Sequence, residues 1–205
     1  MKDNALKTDA NNNLLINIEI IGFCDKNIKI DKADTYYLQL KNKNAFNALI
    51  DVCLGRKVSN KDYDIKINDA SSKEHFIIRK YLQQNCLILM RKNLFCDKNI
   101  SVKENIKIVS QLYSGFDLSD ACISSFILED VKNESVNKLS TTRQDLMLLS
   151  YVVCCPAIIW IIDDKLLNEL NEKEKSIFEN AVKIRKKHGG VILIVSCSNS
   201  TYYCK

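Results

Sequence analysis

Two adjacent carboxylates, Asp163 and Asp164, close the apolar run AIIWII at residues 157–162. Before that run lies a polar loop, LSTTR at 139–143, followed by a helical pattern. Acids at a strand end can hold the Mg2+ of a phosphoryl substrate when a phosphate-binding loop accompanies them. The bland reading of the same acids is a pair of strand-end carboxylates facing solvent. The phosphate loop itself is missing: no G-x-x-x-x-G-K-[ST] occurs in the chain. There are only five glycines, so few positions allow backbone to approach an anion closely. Metal chemistry through soft ligands is not indicated either. The nine cysteines include no C-x-x-C, and only His75 and His188 accompany them, so reduced, buried thiols are the expectation.

The elements that must position these residues are legible in part. LLINIEIIG (14–22), NIKI (27–30) and TYYLQL (35–40) read as strands. NAFNALIDVCLG (44–55) changes to a helical period, with Ala45, Ala48, Leu49, Val52 and Cys53 on one face and Gly55 as a stop. Residues 56–82 read as polar and turn-rich, and YLQQNCLILM (81–90) turns apolar. Ser101 and Glu104 have capping-box spacing for a helix ending near Gly115, and a second helix is expected over 119–128. Thr141 and Gln144 offer a further box for a helix through Val153. Asn171 can cap an amphipathic helix over 171–190, with Ile177, Phe178, Ala181, Val182 and Ile184 inward, and VILIVS (191–196) is a buried strand. Alternating helices and apolar strands predict an α/β fold with a mostly parallel central sheet.

The net charge of +5 is mild, and its longest basic cluster, IRKKH (184–188), sits at a helix end where cations suit the dipole. No aromatics are interleaved with basic residues, so nucleic acid is not an expected partner. No apolar run is long enough to span a bilayer, so direct membrane insertion is not expected, and the start MKDNALKTDANNN does not read as a signal peptide.

This order resembles the ATP-binding cassette of ABC transporters. LSTTR sits where that family has LSGGQ, and the interval from Leu139 to Asp163 matches the family's spacing from signature to Walker B aspartate. LKNKNAFNALIDVCLG (40–55) aligns without a gap on GxNGxGKTTLLRxLxG, keeping Asn42, Leu49 and Gly55. NLFCDKNISVKEN (93–105) resembles the stretch after the Q-loop, with Met90 at the glutamine. One inserted residue brings both Leu170–Asn171 onto the D-loop and Ser196–Cys197 onto the switch histidine. Trp160 and GGVILIVS resemble the branch that serves haem export and cytochrome c maturation.

The resemblance implies a P-loop NTPase-like fold with an N-terminal antiparallel β part and a small helical subdomain. Residues 1–13 would be a polar arm, and 14–205 a single cassette-like domain with its helical subdomain at about 99–140. It implies ATP and Mg2+ as cofactors, integral-membrane permease subunits as partners, pairing as a homo- or heterodimer, and a cytoplasmic place on the inner face of the membrane. By position, Lys41, Asn42, Lys43, Asn44, Ala45, Phe46 and Asn47 stand for the phosphate loop, and Ser140, Thr142 and Arg143 for the signature loop. Asp163 and Asn47 would hold Mg2+ weakly. Asp164 stands for the catalytic glutamate and Cys197 for the switch histidine. Leu40, Lys43 and Ala45 replace glycines, Phe46 the lysine, and Cys197 a better hydrogen-bonding side chain. The expectation is therefore ATP binding and hydrolysis that are weak or lost. Three further readings stay open: a non-catalytic scaffold or regulatory subunit that pairs with an intact ATPase or permease, a decaying gene product, and an unrelated α/β protein.

Overall fold

A computed structural model describes residues 13–58, 62–91, 96–168 and 170–197. Most of the polar arm, residues 93–95 of the stretch after the Q-loop, and everything beyond Cys197 (Cys204 included) lie outside the described residues. The elements run β1 (Asn13–Ile21), β2 (Ile28–Lys32), β3 (Thr35–Leu40), α1 (Lys43–Cys53), β4 (Asp64–Ile67), β5 (Ala70–Ser71), α2 (Phe76–Asn85), β6 (Cys86–Leu89), α3 (Val102–Ser114), α4 (Ser119–Ser125), α5 (Thr141–Cys154), β7 (Ile159–Asp163), α6 (Glu172–Lys187) and β8 (Val191–Cys197). They form two compact units. One comprises the described parts of Met1–Cys86, Ile158–Ile161 and Arg185–Lys205, and the other Leu87–Ala157 and Ile162–Ile184.

An antiparallel sheet in the order β2-β1-β4-β5 is built by alternation. Ile18 pairs with Ile30 and Ile67, and Ile20 with Ile28 and Ile65. Of these, Ile18, Ile20, Ile30, Ile65 and Ile67 are buried. Between them Glu19 pairs with Lys29 and Lys66 on the other face, and the Lys66 ammonium lies 3.4 Å from its carboxylate. The second sheet has the order β3-β8-β7-β6, and β3 and β8 run parallel. Val191 to Val195 are all buried, the near-continuous apolar run of a strand covered on both faces.

β3, α1, β7 and β8 lie where the sequence places them. The α1 face named above is buried in full, and Gly55 follows the helix at φ 76°. The Ser101–Glu104 capping box is present, and α3 ends at Gly115 with φ 77°. Asn171 and Glu174 exchange side-chain and backbone bonds at 3.0 Å, so Asn171 caps α6.

Three expectations need correction. Residues 56–82 are not merely turns, for they hold the β4–β5 hairpin and most of α2. The hairpin turns on Asn68 and Asp69, both with φ above zero, where a glycine would have been the visible signal. α2 shows Phe76 and Ile77 to solvent, half-buries Ile78 and Tyr81, and fully buries only Leu82. α5 is capped by Ser140, not Thr141. Gln144 instead donates to the Leu139 carbonyl at 3.0 Å. On α6, Phe178 is buried, Ile177, Ala181 and Val182 are half-buried, and Ile184 is exposed.

Candidate functional site

The first unit contains the strand-to-helix passage at 40–47. β3 ends at Leu40, which pairs with Cys197 at the end of β8, and Gln39 pairs with Ser196. Ser196 Oγ donates to Gln39 Oε1 at 2.7 Å. The Lys41 N–H donates to the Phe23 carbonyl at 3.0 Å. Asn42 is fully extended, at φ −166° and ψ 177°, and its Oδ1 accepts the Ala45 N–H at 2.9 Å. α1 therefore begins at Lys43, and positions 43–47 are helix, not loop. Lys41, Lys43, Asn44 and Asn47 are exposed, Phe46 is half-buried and Ala45 is buried. Among the described residues the left-handed conformations fall at Gly22, Gly55, Asn68, Asp69, Gly115, Ile127 and Gly189, and none lies within 40–47. A phosphate nest needs such alternation to turn successive N–H groups inward. This passage keeps the strand–helix order and brings Cys197 to its edge, but it does not form that nest. The helix begins one residue before the helical pattern at 44–55, because Asn42 caps it.

The second unit contains the other positions. Ser140 is exposed, and its Oγ accepts the Arg143 N–H at 3.4 Å. Thr142 is half-buried. Arg143 reaches back across the α4–α5 connection: Nη1 donates to the Ile127 carbonyl and Nη2 to Asp130 Oδ2, each at 2.8 Å. Its charge is thus offset locally, and no spacing rule points to Asp130 as the partner. Ile127 holds φ 54°, a left-handed conformation that is unfavourable for a β-branched residue. Arg91 and Asp145 form a pair the sequence did not suggest. Arg91 donates from Nε and Nη2 to both carboxylate oxygens, at 2.7 Å for the shortest bond, and the Asp145 side chain is only 5% exposed.

Asp163 ends β7 half-buried and Asp164 opens a single 3-10 turn, Asp164–Leu166. Asp163 Oδ1 accepts the Lys165 N–H at 3.2 Å. Burial raises the Asp163 carboxyl above its ordinary range, the Lys165 N–H opposes this, and the neighbouring Asp164 charge raises it further. A carboxyl raised on folding favours the native state when protonated. Its contribution is full below the unfolded carboxylate range, near pH 4, and is lost as pH rises through the higher native value. Asp163→Asn should therefore stabilise the chain at pH 7, and that gain should vanish below about pH 4. Urea midpoints of the two proteins across this range check it. Among the described residues no three His, Cys, Asp or Glu side chains converge to hold a metal ion.

No family model matches the sequence. Curated relatives do. The cytochrome c biogenesis ATP-binding export protein CcmA of Rickettsia bellii is 28% identical over 104 residues, 51% of this chain and 53% of that protein. The corresponding CcmA of Rickettsia felis is 26% identical over 104 residues. The matched region spans about half the length of these relatives. Solved structures cover more. The ATP-binding cassette MJ0796, bound to ADP and Pi, aligns with a TM-score of 0.61 at 10% identity, over 87% of each chain. CbiO1 of Clostridium perfringens, part of the ABC transporter complex cbiONQ, aligns at 0.60 and 13% identity, over 88% of this chain and 78% of that one. At such low identity these likenesses show the fold. This chain has the fold of the ATP-binding cassettes of ABC transporters, and over half its length it is similar in sequence to the cytochrome c biogenesis ATP-binding export proteins.

Proposed function

We propose that the chain serves as the nucleotide-binding subunit of an ABC transporter in haem export or cytochrome c biogenesis, and that it binds and hydrolyses ATP weakly or not at all. Its partners are integral-membrane permease subunits and a second cassette, on the cytoplasmic face of the membrane. No helix among the described residues is long and apolar enough to cross a membrane, so attachment would come through the permease. The similarity to the CcmA proteins supports the biogenesis role. The observation that carries the weakened chemistry is the start of α1. The Asn42 side chain occupies the Ala45 N–H and positions 43–47 are helical; by the resemblance, Phe46 takes the place of the phosphate-binding lysine. An apolar ring cannot offset phosphate charge, and a consumed N–H cannot bind an oxygen. Asp163 and Asn47 are the proposed Mg2+ positions, Asp164 replaces the catalytic glutamate, and Cys197 the switch histidine.

Titrating the full chain with ATP and Mg2+ tests this. The expected result is no saturation tighter than about 1 mM and no turnover. Micromolar affinity with phosphate release would overturn it.

A second reading is a non-catalytic scaffold that pairs with an intact cassette or permease. The Arg143 contacts favour it, because a signature-loop cation already satisfied by Asp130 and the Ile127 carbonyl is not available to a nucleotide across a dimer. Adding this chain to an intact cassette separates the two readings. A scaffold changes the turnover of its partner while contributing none itself.

A further inference from the structure

We draw no further inference here: the strongest candidate, the apolar groove of the second unit between residues 96–98 and α3, walled by Cys96, Ile108, Val109 and Leu112, carries nothing because nothing in the structure shows what covers it.

Discussion

Gly22→Ala should lower the stability of the chain by roughly 3 kcal/mol, from about 1–2 kcal/mol for holding an L residue in a left-handed conformation and about 1–3 kcal/mol for overpacking. Gly22 follows β1 with φ 82°, and a Cβ there would lie 1.8 Å from the Asp62 carbonyl oxygen. That distance is far inside van der Waals contact, and the obstacle is backbone, which no rotamer change can clear. Nearby, Phe23 is fully buried and stacks on Tyr63 with ring centroids 5.0 Å apart. The Phe23 carbonyl receives the Lys41 N–H that starts the passage into α1. A shift at Gly22 is thus transmitted to the start of the candidate site.

Gly115→Ala separates the two causes. Gly115 has nearly the same φ, 77°, but nothing lies within 4 Å of the Cβ it would gain. It should lose only the conformational part, about 1 kcal/mol. Urea unfolding of the three proteins gives both values, and equal losses at the two glycines would mean that the Asp62 carbonyl moves aside freely.

What could be read from the sequence followed from how local its cause was. β8 is a continuous apolar run, β3 is rich in β-branched and aromatic residues, and α3 has its start and stop signals, Ser101 and Gly115, at its own ends. Each could be recognised without knowing any neighbour. α2 could not, because Phe76 and Ile77 face solvent and break the rule that apolar periodicity marks the buried side. The β4–β5 hairpin was hidden because Asn68 and Asp69 supply its left-handed turn. Its strand also buries Asp64, which takes bonds from the Ser71 hydroxyl and from the Ser72 hydroxyl and N–H. A polar stretch satisfied internally looks like a loop until its partners are known. The candidate site divides in the same way. The departures at Phe46, Thr142 and Cys197 are visible residue by residue. The fate of Arg143 is not, because its reach to Asp130 depends on how the α4–α5 connection folds.

The same non-local cause makes Arg91 the site of the other large effect. Arg91→Met should cost about 3–5 kcal/mol, more than its place on a turn suggests, because the damage falls on Asp145. The Arg91 side chain is 37% exposed and would lose little solvation if left alone, whereas the Asp145 side chain is 5% exposed on α5. Removing the guanidinium takes away its bonds to both oxygens of a carboxylate that water cannot easily reach. Asp145→Leu should cost less, since the stranded cation can turn outward and only the packing and the pair are lost. The double variant, Arg91→Met with Asp145→Leu, should recover most of the loss of the first. Replacing both members of a buried ion pair by apolar groups of similar volume is often close to neutral, whereas removing one is not. The cycle of four urea midpoints measures this coupling directly. Additive losses in the double variant would mean that Asp145 is adequately held by its other neighbours, and that the forked bond contributes little to the second unit.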